Sequence, residues 1–155
     1  MRALVARSAC AALVLAAVFS TPAYAIPKSV DTTPFTVEGL CAFPVQFQLS
    51  GKTNMPQLPG GRFIVTSPGE TATLTNVSSP AHQVTLNITG SFVQTTNADG
   101  SVVTFSHGRN LLFDPVAGFV LAVGDFSFVF DAAGNLVQPL SGNGTLTNVC
   151  GLLGG

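Results

Sequence analysis

The chain has 155 residues, a formal net charge of −1 and only 8% charged side chains, so it carries neither the basic stripe of a nucleic-acid binder nor a polybasic membrane-surface cluster. Twelve phenylalanines stand against one tyrosine and no tryptophan. Phe lacks the polar handle of Tyr and Trp, so these rings read as core material and argue against a sugar-stacking platform. With so few charges, the exposed faces must be built from Thr, Ser, Asn and Gln, which suits β-strands.

Taken in chain order, Arg2 and Arg7 precede an unbroken apolar run from Ala11 to Phe19, and Ala23-Tyr24-Ala25 fits a small-x-small cleavage pattern. Residues 1–25 therefore read as a secretory signal peptide, whose apolar helix is too short to span a bilayer. No second hydrophobic stretch follows, so no integral membrane segment is expected after cleavage, and the expected location is extracellular. Cys10 leaves with the leader; it does not read as a lipid-anchor site, because the apolar run follows it rather than precedes it. Cys41 and Cys150 remain, and two cysteines in an exported chain predict one disulfide tying the first strands to the last. Residues 26–155 are expected to form a single β domain, opened by a polar arm over residues 26–34.

Val45 to Leu49 alternates cleanly and places Val45, Phe47 and Leu49 on one face. Residues 51–61 hold Pro56, Pro59, Gly60 and Gly61 and read as a loop. Arg62–Thr66 and Thr71–Asn76 read as strands about the turn Ser67-Pro68-Gly69, and Ser78-Ser79-Pro80 breaks the chain before Gln83–Thr89. Phe92–Thr96 and Val102–Ser106 flank Asn97-Ala98-Asp99-Gly100, with Asn first and Gly fourth as a type I turn prefers. Phe119–Val123 leads through Gly124 into Phe126–Phe130, where three phenylalanines project to one side. Asp131–Asn135 reads as a hairpin loop, with strands near Leu136–Leu140 and Thr145–Cys150. The stretch 97–103 echoes 131–137, which two hairpins sharing one turn chemistry explain more simply than a duplicated unit. No segment after the leader shows a helical period. Roughly nine short strands with frequent turns predict an all-β fold, either an antiparallel sandwich or a small barrel.

Candidate chemistry is sparse. His82 and His107 sit at a strand entrance and a strand exit, without metal-ligand spacing. Asp114, Asp125 and Asp131 fall in the Phe-rich C-terminal third, where turns and strand ends account for them. Asp131–Asn135 lacks the alternating acids of a calcium loop, and no Gly-x-Ser-x-Gly elbow occurs. Arg109, leading into Asn110-Leu111-Leu112-Phe113, is read as a paired or hydrated arginine before an anion grip. No catalytic, cofactor-binding or metal-binding residue is assigned.

The Ala-rich leader, Cys41-Ala42-Phe43-Pro44-Val45, Gly60-Gly61-Arg62, the Asp99-Gly100 and Gly134-Asn135 hairpins and the near-terminal cysteine resemble those of small exported proteins of actinobacteria, a group without an established activity. The resemblance implies export and a one-disulfide β fold, and carries no site residues. Three functions follow as expectations. The first is a non-enzymatic secreted β-domain with a structural, adhesive or interaction role, meeting a cell-surface or protein partner. The second is a small barrel carrying an apolar ligand in a Phe-lined interior. The third is a hydrolase or isomerase using His82 or His107 with an aspartate.

Overall fold

The computed structural model describes residues 28–155, so the leader, its helix and the start of the arm lie outside the described residues. The described chain forms two antiparallel sheets, neither closed into a barrel, and this resolves the sandwich-or-barrel alternative in favour of the open sandwich. In the first sheet, β1 (Lys28–Asp31) and β2 (Phe35–Val37) lie end to end along one edge of β3 (Val45–Thr53), followed by β6 (Thr71–Asn76) and β7 (Gln83–Asn87). Pro34 falls between β1 and β2, where its missing N–H interrupts no ladder bond. The second sheet runs β4 (Gln57–Leu58), β5 (Arg62–Thr66), β8 (Gly90–Thr96), β9 (Val102–Asp114), β10 (Gly118–Phe130) and β11 (Leu136–Asn148) in spatial order. The residues expected to form a free arm thus open as an edge strand, with Lys28 to Asp31 paired against Thr53 to Ser50.

The period-2 pattern decides which face is dry. Val45, Phe47, Ala72 and Leu74 point inward from the first sheet and meet Phe119 and Leu121 of β10. The end of this core is plugged by the one-turn helix α1 (Val149–Leu152) and Leu153; Val149 and Leu153 are fully buried. Residues 149–150, expected as the end of a strand, turn into α1 because Asn148 caps it, its Oδ1 accepting the Gly151 N–H. The buried Asn76 fixes the tail from the other side, its Nδ2 donating to the Leu153 carbonyl at 3.1 Å. Cys41 and Cys150 form the disulfide, Cα to Cα 5.6 Å, joining the segment after β2 to α1.

The second sheet is less regular than its hairpins suggest. Gly90, Gly108, Gly124 and Gly144 stand opposite one another across β8, β9, β10 and β11. A Cβ at Gly90, Gly124 or Gly144 would collide with a backbone carbonyl of Arg109, Asn143 or Val123 respectively. The sheet turns a corner along this row, and one bond shows how far. Asp114 ends β9 opposite Gly118, yet its Oδ2 accepts the N–H of Leu140, beside the Ser141 that pairs with Ser127. In a straight strand Gly118 and Ser127 would be about 30 Å apart. Folding back brings these ends together and encloses a second face, on which Val120, Ala122, Phe126, Thr104 and Ser106 are all buried. Bends built on interior glycines are a known route to such curvature.

The strand count differs from the expectation because β1, β2 and β4 are strands the sequence pattern did not mark. Among the described residues there are eleven strands rather than roughly nine, and β9, β10 and β11 are thirteen residues each. Both echo hairpins close as expected, Gly100 N–H bonding to Asn97 O and Gly134 N–H to Asp131 O at 3.0 Å each. Gly100 and Gly134 sit at φ +82° and +84°, a type I turn followed by a left-handed glycine.

Candidate functional site

The candidate site is a cleft between the two sheets, toward the Thr53 end of β3. Its volume is about 330 Å³. Phe35, Phe47 and Leu49 of the first sheet and Ile88 just after β7 line one side, and Val65, Phe92, Leu111 and Leu112 of the second sheet the other. The sequence places them there by register. Phe35 pairs with Phe47, so the two rings share a face and stack at 5.4 Å, while Phe47 tilts against Phe119 at 5.9 Å. Val65 is opposite Phe92, which puts both on one face of the second sheet.

Polar groups in the cleft are few. Thr53 Oγ1 donates to Thr66 O at 3.3 Å, and Asn110 Nδ2 donates to the His107 carbonyl at 2.9 Å. Glu70 is the one charged side chain in the lining, and the residue is only 6% exposed. Its position follows from local chemistry. Ser67-Pro68-Gly69-Glu70 is a turn closed by the Glu70 N–H to Ser67 O bond, with Gly69 at φ +70°, as a type II turn with Pro second and Gly third requires. Glu70 then precedes Thr71 with the same parity as the buried Ala72 and Leu74, so it faces inward. Gly51 lies against it, where a Cβ would come 2.6 Å from Glu70 Cα. The backbone of Glu70 is satisfied, accepting from Ile88 N–H at 3.0 Å. Its carboxylate accepts no hydrogen bond from any described residue.

The histidines behave differently from one another. His107 Nδ1 lies 2.7 Å from Asp125 Oδ1, an arrangement that can orient an imidazole. Ser91 and Asp125 flank His107 on the neighbouring strands, giving an Asp–His–Ser row across β10, β9 and β8. The row borders an open depression of about 400 Å³ that also includes Thr66, Ser67 and Pro68. However, the His107 and Asp125 side chains are 54% and 73% exposed, and no hydroxyl among the described residues bonds the imidazole. In water such a pair is worth little. His82 is brought to no acid; its ring lies against Gly154, and its backbone closes the turn after β6 through N–H to Ser79 O.

Asp114 and Asp131 hold turns. Asp114 Oδ1 accepts the N–H groups of Val116 and Ala117, and Oδ2 that of Leu140. Burial pushes its carboxyl up, and the bonds from Leu140, Ala117 and Val116 together outweigh that and hold it below the ordinary range. Asp131 is lowered chiefly by the Asn135 side chain and then by the Asn135 N–H. Arg109 is exposed on β9, with no carboxylate within ion-pair distance among the described residues. Among the described residues no group of three or more His, Cys, Asp or Glu is placed to hold a metal ion.

Sequence reasoning missed Glu70. The available signal was its parity with Ala72 and Leu74, one residue beyond the point where the strand pattern begins. No protein-family model, curated protein or solved structure matches this chain.

Proposed function

We propose that this is an exported, non-enzymatic binding domain that holds a small apolar molecule in the cleft between its sheets. The observation that carries the reading is the cleft itself, with eight apolar side chains and a single charged group in its lining. Its size sits at the small end of ligand pockets, about 300–1,000 Å³. At about 30 Å³ per water-sized group it has room for a ligand of roughly ten heavy atoms. The disulfide supports export, because such bonds persist in oxidising compartments. The His107–Asp125 pair is left out of the reading, since it stands in solvent beside a depression rather than in a dry pocket.

The test is the native and denatured mass of the protein taken from its own secretion medium. A small organic increment retained natively and lost on denaturation is expected, with a denatured mass matching cleavage after Ala25. A bare native mass, together with no saturable uptake of 1-octanol, would contradict the reading.

A second reading, interaction with a cell-surface or protein partner, is favoured by β11. This edge strand of thirteen residues is largely exposed and has no Asp, Glu, Lys or Arg, the charges that usually discourage strand addition. Pro139 and the register shifts near Ser127 interrupt its first half, which leaves Ser141 to Asn148 as the continuous stretch. The double substitution Thr145→Lys, Thr147→Lys should abolish association with producer cells; unchanged association would remove this reading.

A further inference from the structure

We propose that the molecule held in the cleft is a primary amine on a short apolar body, with its ammonium group bound by the Glu70 carboxylate. This rests on the cleft reading above and adds the chemical class of the ligand. Three observations converge. Glu70 is the only charged residue of the lining, so the field in the cleft favours a cation and opposes an anion. The residue is 6% exposed, and no described residue donates a hydrogen bond to its carboxylate. Neither carboxylate oxygen is sealed from solvent, so with no protein donor its acceptor capacity is met by water at the cleft and is open to a cation that enters and displaces that water. The stacked rings of Phe35 and Phe47 then supply both apolar surface for the body and aromatic faces compatible with a nearby ammonium.

None of the other polar side chains of the lining is charged, and the Ser67 hydroxyl is bonded to no described residue. Asn110 spends its amide on the His107 carbonyl, and Thr53 its hydroxyl on the Thr66 carbonyl. Neither is a cation that could neutralise Glu70 from inside the cleft. The ligand's length follows from the volume: an ammonium at Glu70 and a chain of about eight carbons fill a space of roughly ten heavy atoms.

The experiment is calorimetric titration of the intact protein at pH 7 with octylamine, 1-octanol and octanoate, each below its aggregation threshold. Octylamine should bind about tenfold or more tightly than 1-octanol, the difference expected between a charge-assisted and a neutral hydrogen bond. Octanoate should bind more weakly than either. In Glu70→Gln the amine advantage should shrink to about threefold or less while 1-octanol affinity is kept. Equal binding of amine and alcohol to the wild-type protein would overturn the proposal, and so would an amine advantage that survives Glu70→Gln. The wild-type ratio decides alone if the variant does not fold. Saturable 1-octanol binding without an amine preference would remove the amine and leave the cleft reading standing; no saturable binding of either probe would remove both.

Discussion

Replacing Asp114 by Asn probes the bond that fastens the folded-back sheet. The carboxylate serves three backbone donors, Val116 and Ala117 at 2.8 Å through Oδ1 and Leu140 at 2.9 Å through Oδ2. An asparagine can keep its oxygen on the Val116 and Ala117 pair, but its amide nitrogen then faces the Leu140 N–H, donor against donor. Leaving that N–H unsatisfied costs about 1–3 kcal/mol. The two remaining bonds lose their charge assistance, roughly half their strength. Together the change should destabilise by about 3 kcal/mol, a large share of the 5–15 kcal/mol typical of a domain. The sign with pH follows from the direction of the shift. The folded carboxyl lies below its ordinary value of 3.8, so its contribution is complete above that value and is lost as pH falls through the folded pKa. Urea unfolding followed by circular dichroism, at pH 7 and at intervals below pH 4, reads both effects. Asp114→Asn should lower the midpoint at pH 7 and flatten part of the acid slope, with Asp99 and Asp131 retaining the rest because both are shifted the same way. Wild-type stability at pH 7, or an unchanged acid slope, would refute the assignment of this bond.

Gly124→Ala should cost about 3 kcal/mol or more, or prevent folding, because the new methyl meets the Asn143 carbonyl at a φ of +137°. Gly39→Ala, with φ +82° but nothing within 4 Å, should cost only about 1 kcal/mol, and the two can be compared by thermal unfolding. Reducing Cys41–Cys150, which spans 109 residues, should lower stability by up to about 5 kcal/mol, read as the shift in urea midpoint with and without reductant. Leu153→Ala removes a fully buried side chain at the plugged end of the core and should cost about 2–5 kcal/mol by the same assay, whereas the half-exposed Leu152→Ala should change little.

The parts of this fold legible in the sequence are those governed by neighbours a few residues apart. The alternation of Val45, Phe47 and Leu49 marked an inward face, and Asn97 to Gly100 marked its turn, because both patterns are local. Whether the tail docks was not legible in its local pattern; Leu153 is fully buried in the core. The glycines misled. Gly108, Gly124, Gly142 and Gly144 have the look of strand breaks, yet β9, β10 and β11 continue through them as bent strands, because what holds each strand is its partner across the ladder. Only the cross-strand register reveals that Gly90, Gly108, Gly124 and Gly144 form a row and that the row is a corner. The cleft was hidden for the same reason. Phe35, Val65 and Phe92 belong to strands that no local pattern relates, and Glu70 is conspicuous only once apolar side chains from both sheets surround it. The pairing of His107 with Asp125 likewise depends on register across β9 and β10, so neither residue could be matched to the other beforehand.

The most direct measurement of the central claim is an amide-resolved NMR titration of the intact protein with octylamine. Saturable shifts centred on Phe47, Val65, Glu70 and Phe92, with Ser91 and Asp125 still, are the predicted result. Shifts that never saturate, or that gather on the depression beside His107 instead of the cleft, would contradict it.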